Sequence, residues 1–312
     1  MSAAKNLTLK LPSTQELRVE HPDLFAKSDL MGFWVVLQVW AQIFILMAVG
    51  IYSDRWFVTL PIMFFIGFEQ FALSEIGVHL ASHGTLFKTP ELNRRMELFI
   101  SVPFFRSIKD YRTHHFVHHR DNSLANDPVY FLYDRLRLGE KNFNPFWRIL
   151  IEPFLGRFSM IYLLYIYPHF IRGNSLRWNI QILLFYVFFC SPFIYFGRMD
   201  LFLIYWVAPL LLLNPAFTVM NEVAEHYRCT SAARQRVGLI NYFIFNDGYH
   251  FVHHVYPSIP WFKLKEANKI LSPYLEDVET CRGFIFGAYL KIRKQSHIPY
   301  VPLHPNPAKQ TY

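Results

Sequence analysis

MGFWVVLQVWAQIFILMAVGIY, residues 31–52, runs for 22 residues without a charged side chain. A helix of that length can cross a hydrocarbon core of about 30 Å. The short turn Ser53-Asp54-Arg55 follows. A second apolar run, residues 56–76, is broken only by Glu69 and Glu75. Residues 178–196 and 201–220 repeat the arrangement, with a tight turn at 197–200. The chain therefore reads as an all-α integral membrane protein with four transmembrane helices in two hairpins.

Composition agrees. The chain is 53% hydrophobic, 18% aromatic and only 17% charged, against about 25% charged residues in a soluble domain. Cys190, Cys229 and Cys281 show neither disulfide nor zinc-finger spacing. The net charge of +8 comes without a dense Lys/Arg run, so a nucleic-acid partner is not expected. Of the 31 Lys and Arg, none falls inside a span, and only Arg55 and Arg198 fall in the two tight turns. The remainder lie on the opposite side, which the positive-inside rule makes cytosolic. Every histidine lies on that side too. A basic face of this kind could also receive an acidic electron carrier or substrate carrier.

Outward from the spans, residues 1–30 form a polar cytosolic arm without the apolar core of a cleaved signal peptide. Residues 31–294 form the membrane domain. Residues 158–171 are apolar but too short to span, and Arg157 and Arg172 flank them. They read as an interfacial segment, because one more crossing would put the two histidine motifs below on opposite sides. Residues 259–294 read as two amphipathic helices, and 295–312, with four prolines, as an extended tail.

Residues 115–119 and 250–254 both read His-Phe-Val-His-His. On a helix, positions i, i+3 and i+4 share a face, so each copy offers three imidazoles in one direction. His79 and His83 form an i, i+4 pair, and His226 stands alone. His79 lies 23 residues beyond Trp56, and His226 lies 25 beyond Leu201. At about 1.5 Å per residue both sit about 35–38 Å from the far face, just inside the cytosol. Asn246 and Asp247 are candidate N-caps for the second copy, and Pro257 and Pro260 would stop it. A single HxxxH is often structural, and His21, His169, His297 and His304 read as interfacial. His114 points about 100° away from His115. Nine converging histidines are too many for one ion and fit a two-metal centre. Imidazole suits Zn, Cu, Fe or Ni, and two irons beside an apolar channel suit O2 activation.

These residues resemble the membrane-bound fatty acid desaturase family, which also holds related hydroxylases. The resemblance covers about residues 79–264: EIGVHLASHGTLF, then YRTHHFVHHRDN followed by NDPVYF, then NDGYHFVHHVYPSIPWFKL. It implies four transmembrane helices under a cytosolic helical cap, with two Fe2+ between them, O2 as oxidant and an acyl tunnel beneath. It implies His79, His115, His119 and His253 on one iron, and His83, His118, His226, His250 and His254 on the other. Some members carry an Asn one turn before the lone histidine, holding a water. Glu222 stands there in this chain, with Asn221 beside it. The third box starts with His250 rather than Gln, and no haem-binding domain is visible, which speaks against a front-end desaturase.

Glu75, one turn before His79, is a candidate acceptor for that imidazole. Glu69 and Asn214 each lie 13 residues into a span, so they are expected to share a depth and to pair. The expected activity is an oxidoreductase, an O2-dependent acyl desaturase in the membrane. Alternatives on the same scaffold are a hydroxylase or a terminal-alkene or triple-bond former. A membrane metal carrier would need more intramembrane charge than Glu69 supplies. Electrons must come from a separate donor of ferredoxin, rubredoxin or cytochrome b5 type.

Overall fold

Ser28 starts the first long helix by accepting from the Met31 backbone N–H at 3.3 Å, the cap that small polar side chains supply. Ser175 caps the third span in the same way, accepting from Trp178 N–H. The computed structural model describes residues 11–122, 124, 126–161, 163, 175–297 and 300. The helices that matter here are α1 (Asp29–Ser53), α2 (Trp56–Ser82), α3 (Ile108–Asp121), α4 (Leu176–Tyr195), α5 (Met199–Glu225), α6 (His250–Val255), α7 (Leu264–Ile270) and α8 (Phe286–Gln295). Two short strands, β1 (Gln235–Val237) and β2 (Thr280–Arg282), pair in parallel with Gln235 opposite Thr280.

Among the described residues, four helices, α1, α2, α4 and α5, are long and apolar enough to cross a membrane. This is a membrane protein. The caps and the polar residues at their C-terminal ends lengthen the spans beyond the apolar runs: α2 continues to Ser82 and α5 to Glu225. Hydropathy marks only the part in lipid, while backbone hydrogen bonding carries the rod further.

The chain divides into two compact units. One comprises residues 28–112 and 151–220. In it, α1 buries Val35, Val39, Ile43 and Met47 at helical spacing and leaves Leu37, Phe44 and Ile45 exposed. Where the solvent is lipid, that exposed stripe is expected rather than anomalous. Trp206 stacks on Trp40 with centroids 5.6 Å apart and meets Phe189 edge-on at 4.7 Å. A side chain on Gly67 would collide with Leu213, so glycine is needed where the helices approach closely. The Gln70 amide donates to the Trp206 carbonyl at 3.1 Å. The Asn214 amide donates to Ser74 Oγ at 2.9 Å. Asn214 was expected to pair with Glu69. A helix fixes depth but not azimuth, and the observed partner lies five residues further along α2.

Both α2 and α5 contain π-helical turns before their inner ends: Ala72–Gly77 in α2, and Leu203–Val207 and Pro209–Leu213 in α5. Such turns are rare and often accompany functional sites.

The other unit comprises residues 1–27, 113–150 and 221–312. Its core gathers Leu17 and Leu24 from the arm with Val252, Tyr256, Ile259 and Leu264. The Tyr256 hydroxyl donates to the Pro12 carbonyl at 2.6 Å. The arm is thus docked on the α6 region. Residues 259–294 hold two helices, α7 and α8, with β2 between them. Of the interfacial segment 158–171, a helix covers Arg157–Ile161, and 162 and 164–171 lie outside the described residues. In the tail, 298, 299 and 301–312 lie outside them.

Candidate metal centre

α3 and α6 place their histidines as helical spacing requires. The Nε2 atoms of His115 and His119 approach to 2.9 Å, and those of His250 and His254 to 3.2 Å. His226 follows the end of α5, its N–H donating to the Glu222 carbonyl at 3.0 Å. Its Nε2 lies 3.2 Å from that of His118 and 3.0 Å from that of His250. Four Nε2 atoms, from His118, His226, His250 and His254, therefore converge. Donors bound about 2.1 Å from one ion and at right angles lie about 3 Å apart, which matches this spacing.

The outer nitrogens of His118 and His226 are held as ligating histidines require. His118 Nδ1–H donates to Asp127 Oδ1 at 3.0 Å, and that oxygen also accepts from Val129 N–H at 3.0 Å. His226 Nδ1–H donates to the Ala232 carbonyl at 3.1 Å. His250 Nδ1 lies 3.6 Å from Asp247 Oδ1, and His254 Nδ1 lies 3.4 Å from the Asn122 amide. Burial, then the charge that neighbouring histidines would carry, pushes His226 and His254 well below the usual imidazole pKa. Both are neutral at pH 7, the form that binds metal. At His118 burial opposes charge, but the hydrogen bond and charge of Asp127 outweigh it, and the pKa rises.

A second group lies beside the first. His115 and His119 face each other, and the His253 ring lies 5.2 Å from that of His119. His119 stacks on His254, with centroids 4.2 Å apart and planes 18° off parallel. Each HFVHH copy thus contributes to both groups. In the other unit, the rings of His79 and His83 lie 5.1 Å apart.

The remaining candidates fall differently. Glu75 is engaged by Arg106 in an ion pair. Glu222 accepts from the Tyr133 hydroxyl at 3.2 Å. Asn221 donates to Glu225 Oε2 at 3.0 Å. Asn246 and Asp247 do not cap α6. Tyr249 is its N-cap, without a side-chain bond, and Asp247 turns instead towards His250. Sequence reasoning missed Asp127, Glu225, Arg236 and the Ala232 carbonyl. Asp127 lay inside the quoted stretch NDPVYF, and Glu225 stands next to His226, which was the only available signal.

Asp127→Asn is expected to weaken metal binding 10–100-fold, because Asn cannot keep the His118 tautomer with equal strength. Metal titration of the purified variant checks this, and affinity equal to wild type would remove Asp127 from the centre.

The clusters could hold metal, and comparison with known proteins fits that chemistry. The chain is 23% identical over 334 residues to a sphingolipid delta(4)-desaturase of Schizosaccharomyces pombe, covering 91% of this chain and 86% of the relative. It is 26% identical to the dihydrorhizobitoxine desaturase of Bradyrhizobium elkanii, over 66% of this chain and 65% of that protein. It is 23% identical to a DES1-like sphingolipid delta(4)-desaturase of Arabidopsis thaliana, over 93% and 83%. Residues 54–282 match the family described as fatty acid desaturase. The chain belongs to the fatty acid desaturase family and is an oxidoreductase.

Proposed function

We propose that the protein is an O2-dependent di-iron desaturase that introduces a double bond into a long-chain acyl substrate. The observation that carries this reading is the convergence of the Nε2 atoms of His118, His226, His250 and His254 at 3.0–3.2 Å. By the family resemblance, these four with His83 would hold one iron, and His115, His119 and His253 with His79 would hold the other. Bound iron supplies the oxidation: two hydrogens leave adjacent methylene carbons, and with two further electrons and two protons O2 becomes two waters.

The chain's own residues hold and orient. Asp127 and the Ala232 carbonyl fix the tautomers of His118 and His226, leaving Nε2 lone pairs inward. Glu222, held by Tyr133, or Asn221 beside it would support a water on the iron of His79, His115, His119 and His253. Phe- and Tyr-rich spans line the acyl path and keep bulk water out. The spans pair as two hairpins, and the histidine-bearing segments form a cytosolic cap with both termini, following the Lys/Arg asymmetry. Electrons arrive from a separate ferredoxin, rubredoxin or cytochrome b5 type donor. The relatives named above act on chemically different molecules, so the long-chain acyl reading rests on the apolar spans rather than on those names.

Mass spectrometry of lipids and free acids from cells expressing the chain, beside a His118→Ala control, tests the reading. Products lighter by two hydrogens, absent from the control, are expected. Products heavier by one oxygen would make it a hydroxylase, and identical profiles would overturn the assignment.

A further inference from the structure

The two carboxylate oxygens of Glu225 have different neighbours. Oε1 accepts from the Arg236 guanidinium. Oε2 accepts from the Asn221 amide at 3.0 Å and lies 3.4 Å from His250 Nε2. That nitrogen is the inward one, since it also faces His226 Nε2 at 3.0 Å and His254 Nε2 at 3.2 Å. A carboxylate oxygen of Glu225 and a ring nitrogen each from His226 and His250 all lie within 4.8 Å of one another. The oxygen therefore enters the space that the imidazole lone pairs enter.

Arg236 also lies 3.6 Å from Asp247 Oδ2, and the side chains of Arg236, Glu225 and Asp247 are 0%, 3% and 3% exposed. The guanidinium holds Oε1 and leaves Oε2 on the histidine side.

We propose that Glu225 is an oxygen donor to the metal ion held by His226 and His250, so that this site mixes imidazole with carboxylate. The proposal rests on the metal-centre reading above. Arg236 ties down Oε1, which limits Glu225 to one donor atom. Glu225 would add one anionic oxygen to the imidazoles of this site, and a harder oxygen donor favours Fe2+ over softer competitors.

The test uses the purified full chain, titrated anaerobically with Fe2+ and followed by Mössbauer and infrared difference spectroscopy. Wild type should show two ferrous components and an iron-induced shift of a glutamate carboxylate stretch. Glu225→Gln should lose that infrared band, bind one of the two ions about 10–100-fold more weakly, and alter one Mössbauer component only. If Glu225→Gln retains the wild-type band, affinity and components, Glu225 is not a ligand. If wild type binds no Fe2+, the metal-centre reading itself fails. Should Glu225→Gln not fold, Glu225→Gln/Arg236→Met removes both charges together and is read by the same three signals.

Discussion

Replacing Arg236 with leucine is expected to cost about 3–5 kcal/mol of stability, seen as a large fall in melting temperature in detergent. The guanidinium is fully buried on β1 and faces two buried carboxylates, Glu225 and Asp247. The change would remove the guanidinium these two carboxyls share in a region of low dielectric. An uncompensated buried charge costs far more than an intact pair contributes. The effect should be conditional: adding Glu225→Gln to Arg236→Leu is expected to recover part of the loss, because one of the two charges disappears. A melting temperature for Arg236→Leu equal to wild type would show that water reaches these carboxylates.

The second large effect is expected at Gly248, two residues before His250. A Cβ there would lie 2.6 Å from the Arg236 carbonyl oxygen and would also meet the Asn241 side chain. Both neighbours are fixed. The Arg236 N–H donates to the Gly248 carbonyl at 2.7 Å, and the Asn241 amide donates to the Arg236 carbonyl at 2.7 Å. Gly248→Ala must therefore move backbone, at about 1–3 kcal/mol, and the start of α6 moves with it. Loss of stability should come with weaker metal binding, because His250 shifts relative to His226. Asn241→Ala in the same chain relieves only the side-chain contact and should not restore binding. Wild-type metal affinity in Gly248→Ala would mean that the β1 contact does not set the position of His250.

Much of this molecule is legible in its sequence, for identifiable reasons. The spans announce themselves because lipid requires long uncharged runs. The HFVHH copies announce a face of converging imidazoles because helical spacing converts i, i+3 and i+4 into one direction. What stayed hidden depends on azimuth and on chain reversal. The depth of Asn214 could be counted, but the direction of its amide could not, so Ser74 went unnoticed. Glu75 sits one turn from His79, yet Arg106, 31 residues away, offered a full charge. Asp127 was in view within NDPVYF, but only the turn after α3 brings it back to His118. The Ala232 carbonyl could not be read at all, since any residue carries one. Arg236 and Asp247 were invisible as partners because one lies on a strand and the other in a loop.

The π-helical turns in α2 and α5 have a further consequence. A π turn contains one residue more than the α turn it replaces, so everything after it is rotated by about 100° around the rod. Ala72–Gly77 lies between the apolar length of α2 and His79, and the turns of α5 lie upstream of His226. α2 thus has two independent phases. The length before its π turn can keep whichever stripe suits the surrounding lipid, while the end after it aims His79 by a separate setting. Drift in the membrane-facing sequence then leaves the aim of the metal ligands untouched, so long as the extra residue is kept.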